Sequence, residues 1–137
     1  RHREDAFVQR YMRDIGHFEF GQLHKPILFP GFAPDTYDPV SEDYWLNYWI
    51  KAFAHVLHHK DDCVFVLQDD LRINAQNTMQ RICLEVGLDP KSTQFEGFFH
   101  SRPDETNTDV YSPGLLAEAE QIYKELQFVA SSAPEHA

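Results

Sequence analysis

"CVFVLQ", residues 63–68, is the stretch on which the fold turns. It is a short, unbroken apolar run of β-branched and aromatic residues, with Lys60–Asp62 before it and Asp69–Asp70 after it. A half-buried strand would alternate apolar with polar residues, so an unbroken run predicts a strand covered on both faces. Residues 62–68 are therefore expected to form one buried strand, and the chain is expected to be α/β. Such a strand needs neighbours on both edges to satisfy its backbone, and the rest of the sequence offers hardly any.

Helices surround it. "SEDYWLNYWIKAFAHVLHH", from Ser41, reads as a capped helix whose stripe is Tyr44, Trp45, Tyr48, Trp49, Ala52, Phe53 and Val56. After the strand, "DDLRINAQNTMQRICLEVGL" carries Ala75, Met79, Ile82, Cys83 and Val86 at helical spacing, and Gly87 stands where a left-handed C-terminal residue belongs. "SPGLLAEAEQIYKELQF" predicts a last helix with Pro113 in its first turn and Leu115, Leu116, Ala119, Ile122, Tyr123 and Leu126 inward. At the other end, residues 4–15 place Phe7, Val8, Tyr11, Met12 and Ile15 on one face, with Gly16 as the stop. Between them, His24 to Val40 holds four prolines and no sustained period, an irregular segment whose Ile27, Leu28, Phe29 and Phe32 are expected to pack. The organisation expected is a single domain over residues 1–130 with a loose tail at 131–137.

Composition narrows the function. The 137 residues carry a formal net charge of −10, which argues against generic binding to nucleic acid or to an anionic membrane. No apolar run reaches the roughly 18 residues of a membrane span. Two cysteines make no disulfide scaffold, so a reducing, cytoplasmic setting with buried free thiols is the expectation. Positive charge is uneven: Arg1, Arg3, Arg10 and Arg13 crowd the first thirteen residues. A basic corner on an acidic chain suits a small polyanionic ligand, and equally a solvated helix face.

Two stretches together resemble the sulfotransferase family. "VFVLQDDLRINAQNTMQRICLEVGL" is similar to that family's late strand, its aromatic-Glu-Asp-Leu turn, and a helix ending in Leu-Gly before a proline. The match runs through Val64–Val66, Asp70, Leu71, Asn74, Met79, Ile82, Val86, Gly87 and Pro90, with Gln68 where Tyr is usual and Asp69 for Glu. "RHREDAFVQ", residues 1–9, resembles the family's motif for the donor's 3′-phosphate: Arg1, Asp5 and the apolar Ala6–Val8 fit, while Arg3 replaces a proline and Gln9 a serine. The resemblance implies a three-layer, P-loop-like α/β domain of which this chain is the C-terminal portion. It implies transfer of a sulfuryl group from 3′-phosphoadenosine 5′-phosphosulfate to an acceptor hydroxyl or amine, on a small molecule or glycan. Arg1 and Gln9 would converge on the 3′-phosphate, because the guanidinium fork grips two phosphate oxygens and the carboxamide donates an N–H. Arg102, in "FFHSRPDE", is a further candidate for the same anion, or an ordinary surface arginine. The family's glycine-rich loop for the 5′-phosphosulfate has no counterpart in the sequence. A missing N-terminal half of the same domain is thus the expected partner, and this piece alone is not expected to turn over substrate. The competing reading is a non-catalytic helical protein-interaction module.

Other constellations have plainer readings. His55, His58 and His59 can share a helix face, but they sit at the C-terminal end of their helix, where the dipole favours them without a metal. His17 and His100 have no recognisable partners in the sequence. The aromatic stripe around Trp45 reads as core before acceptor pocket, and Asp69–Asp70 as a helix cap before an acid–base couple.

Overall fold

The computed structural model describes residues 5–16, 19, 23–90, 94–95, 99 and 107–132. Its α-helices are α1 (Ala6–Asp14), α2 (Glu42–His58), α3 (Gln68–Ile73), α4 (Ala75–Glu85) and α5 (Pro113–Ser131), with short 3-10 turns at Pro34–Thr36, Lys60–Asp62 and Thr108–Val110. Among the described residues there is no strand and no sheet. The expected three-layer α/β domain is therefore corrected to a helical architecture, and the buried strand at 62–68 goes with it.

The reason lies in what a strand requires. Asp62 closes a 3-10 turn and Gln68 opens α3, leaving Cys63–Leu67 between them. Cys63 (φ −128°, ψ 141°) and Leu67 (φ −92°, ψ 142°) are extended, as their neighbours' side chains favour. Extended backbone becomes a sheet only through a hydrogen-bonded neighbour, and none is supplied by the described residues. Nor is the run covered on both faces: Cys63 and Val64 are exposed.

The chain divides into two compact units: Arg1–His58 with Asn107–Ile122, and His59–Thr106 with Tyr123–Ala137. In the first, Ser41 starts α2 by accepting the Tyr44 N–H at 3.2 Å while its own hydroxyl donates to the Asp38 carbonyl at 2.7 Å. Tyr44 and Ile50 are sealed from solvent and Asn47 is buried beside them. The proline-rich stretch packs on this helix. Phe32 meets Tyr48 edge-on at 5.0 Å, the Trp45 indole N–H donates to the Pro39 carbonyl at 3.0 Å, and the Ile27 N–H donates to the Tyr48 hydroxyl at 3.3 Å. The start of α5 is tied to α2: both the backbone N–H and the hydroxyl of Ser112 donate to the Asp43 carboxylate, and Lys51 pairs with Glu118 at 2.6 Å.

In the second unit, what the sequence reads as one helix after residue 68 is two. Asn74 turns out of the helix (φ −149°, ψ 69°), and its side chain accepts the Asn77 N–H at 3.2 Å to start α4. Asparagine does this because its short carbonyl mimics the missing turn. α4 ends as expected at Gly87, whose φ of +74° lets its N–H reach the Leu84 carbonyl and the Leu88 N–H reach that of Cys83. The Thr78 hydroxyl back-bonds to the Asp70 carbonyl at 3.2 Å, fastening α4 to α3. Leu126 and Ala130 are the buried apolar residues that α5 gives to this unit.

Candidate functional site

Of the three residues expected at the donor's 3′-phosphate, Arg1 and Arg102 lie outside the described residues, as do His17 and His100. Gln9 is in α1, half-buried. Asp5 caps that helix: its carboxylate accepts the N–H groups of Phe7 at 3.0 Å and Val8 at 3.2 Å. The cap has a chemical consequence. A helix N-terminus attracts anions through its unpaired N–H groups and dipole, and here a side-chain carboxylate already holds two of them. A phosphate near α1 would have to be gripped by side chains. Gln9 follows Asp5 by four residues, so both lie on one face, and helical side chains lean toward the N-terminus.

The large apolar residues of α1 face outward. Phe7, Tyr11 and Ile15 are exposed, with the Phe7 and Tyr11 rings stacked at 6.2 Å.

His24 was not singled out by sequence. Its Nδ1 lies 2.6 Å from the Tyr44 hydroxyl, and its ring lies tilted against Trp45 at 4.6 Å and edge-on to Tyr48 at 5.3 Å. Burial holds its pKa below the ordinary imidazole value, so the ring is neutral at pH 7 and serves as a hydrogen-bonded core group. The stripe of Tyr44, Trp45 and Tyr48 thus builds an aromatic cluster with His24 and Phe32.

The second unit holds two open clefts. One, of about 560 Å³, is lined by the apolar Val64, Phe65, Phe128 and Val129 and by the acidic Asp61, Asp62 and Glu85. The other, of about 520 Å³, is edged by Asp69, Asp70, Arg72, Gln127 and Ser131. Asp69 and Asp70 lie inside the first turn of α3 and do not cap it; Leu67 occupies the cap position without a side-chain bond. Instead Asp69 accepts the Tyr123 hydroxyl at 2.5 Å and faces Arg72 at 3.7 Å. That hydrogen bond, with burial and the nearby carboxylates, pushes the Tyr123 pKa up to about 12.

No protein-family model, curated protein or solved structure matches the chain. Chemistry has to be argued from the residues themselves. Among the described residues, no three His, Cys, Asp or Glu side chains are set to hold a metal ion, and no helix is long and apolar enough to cross a membrane. Both cysteines are free; Cys63 is exposed, against the expectation that it is buried, and Cys83 is half-buried. Sequence reading also passed over Arg81. One of its terminal nitrogens donates to the Phe65 carbonyl at 3.3 Å, and the other is buried without a partner among the described residues.

Proposed function

We propose that this chain takes part in sulfuryl transfer from 3′-phosphoadenosine 5′-phosphosulfate to an acceptor hydroxyl or amine, by holding the 3′-phosphate of the donor. The observation that carries the reading is the placement of Gln9 in α1, half-buried and one turn after Asp5, at the spacing the motif requires. Because Asp5 occupies the helix's own donors, selectivity for the phosphate rests on Arg1 as a two-pronged cation and Gln9 as a neutral N–H donor. In this reading the 5′-phosphosulfate loop comes from a companion segment, the acceptor is a small molecule or glycan, and the setting is reducing, in keeping with two free thiols.

Calorimetric titration of the chain with adenosine 3′,5′-bisphosphate tests it. Saturable binding is expected, with adenosine 5′-monophosphate far weaker. A hydrogen bond to a charged group contributes about 1.5–3 kcal/mol, so Arg1→Ala should weaken binding roughly 10- to 100-fold and Gln9→Ala by about tenfold or less. Equal binding by Arg1→Ala and the parent chain would remove the assignment.

A second reading, a non-catalytic helical interaction module, is favoured by α1 itself, whose Phe7, Tyr11 and Ile15 are 75, 53 and 54% exposed. A chain that takes up no nucleotide, yet is monodisperse and unfolds cooperatively, would favour it.

A further inference from the structure

Along an extended chain the backbone groups of successive residues face opposite edges. The Phe65 carbonyl faces α4, where Arg81 takes it at 3.3 Å. In an extended run, as Cys63 begins it and Leu67 ends it, Val64 and Val66 turn their N–H and C=O groups to the edge opposite Phe65's, and none of the four makes a hydrogen bond among the described residues. Val64 is 47% exposed, and the cleft of about 560 Å³ opens beside it, lined by Val64, Phe65, Phe128 and Val129. An apolar lining next to a row of unpaired backbone donors and acceptors has the two elements of strand addition: main-chain bonds for affinity and alternate side-chain contacts for selection.

We infer that the Val64–Val66 edge is a strand-addition site for an extended, basic segment of a separate polypeptide. Charge selects the occupant. Asp61, Asp62 and Glu85 line the cleft against the single ammonium of Lys60, so an incoming strand gains from lysine or arginine at the end that meets them. A second copy of this chain does not fit. Parallel self-pairing would set Asp61 and Asp62 against their own counterparts, and antiparallel pairing centred on Phe65 would set Asp61 opposite Asp69. Like charges directly opposite destabilise a strand pair, and each copy carries a net −10. The inference rests on unpaired backbone and stands whether or not the chain holds a nucleotide.

Amide exchange of the full chain, followed by NMR, tests it with a synthetic peptide that alternates valine and threonine between terminal lysines. At saturating peptide, exchange at Val64 and Val66 should slow by about tenfold or more while Phe65 is unchanged, since only the paired edge is protected. The same peptide N-methylated along one edge should give no protection on that edge's register. Asp61→Lys with Asp62→Lys, a change at two exposed residues, should transfer preference to a glutamate-ended peptide. Absence of protection at both valines would overturn the inference, as would equal protection by the fully N-methylated peptide. Protection that grows with chain concentration in the absence of peptide would assign the edge to a second copy instead.

Discussion

Tyr123 is the residue whose surroundings most change its chemistry. Its hydroxyl donates to Asp69 at 2.5 Å, and its pKa rises from an ordinary 10.0 to about 12. Below pH 10 the phenol is protonated whether the chain is folded or not, so the bond contributes fully to stability. Between pH 10 and 12 the unfolded chain ionises first, and that contribution is lost. The bond contributes about 1 kcal/mol, as an ordinary partly exposed hydrogen bond does. Tyr123→Phe should therefore lower the urea midpoint at pH 8 and flatten the decline above pH 10. In the ultraviolet titration of tyrosinate, the highest step should vanish from the variant; an unchanged step would place the raised pKa elsewhere. None of this was legible in the sequence, because Asp69 and Tyr123 stand 54 positions apart and no local pattern couples them. Gln9 was legible as a candidate, since its spacing from Arg1 and Asp5 is local. His24 was not, since a histidine in an irregular segment gives no sign of the tyrosine it will meet.

At the scale of elements, what could be read is what sequence fixes locally. Ser41, Pro113 and Gly87 bound their helices as their conformational preferences dictate. Gly87 permits a clean measurement, because a β-carbon built there meets nothing within 4 Å while φ stays at +74°. Gly87→Ala should thus destabilise the chain by about 1 kcal/mol through backbone strain alone, with no steric contribution. Chemical denaturation checks the size, and a loss several-fold larger would mean that the Cβ meets a neighbour. The break at Asn74 escaped the sequence reading because helical spacing of the apolar residues continues through it; only the cap, not the periodicity, marks the boundary. Residues 63–67 failed in the opposite sense. The run is extended at both ends, at Cys63 and Leu67, but a sheet is a property of two segments, and the second cannot be inferred from the first. The exposed stripe of α1 makes the same point, since helical periodicity says which residues share a face and nothing about what covers it.

The whole molecule carries its buried apolar groups unequally. Tyr44 and Ile50, the largest side chains fully sealed from solvent, belong to the first unit with Phe32 and Ala119, whereas the second has Leu126 and Ala130 among its described residues. Burying a large side chain contributes about 1.5–3 kcal/mol, so the first unit holds the greater share of the driving force for folding. Both tryptophans, Trp45 and Trp49, sit on α2 within that unit. Their fluorescence consequently reports the first unit alone, while far-ultraviolet circular dichroism sums the helices of both. Two transitions of different midpoint are the signature of units that do not unfold together. In urea, dichroism should begin to fall at lower denaturant than tryptophan fluorescence, and exchange of amides in α3 and α4 should quicken before those in α2. A ligand or partner confined to the second unit, such as a strand along Val64–Val66, should move the early dichroism change toward the later fluorescence change. Coincident curves with and without peptide would mean that the two units share one cooperative transition despite their unequal cores.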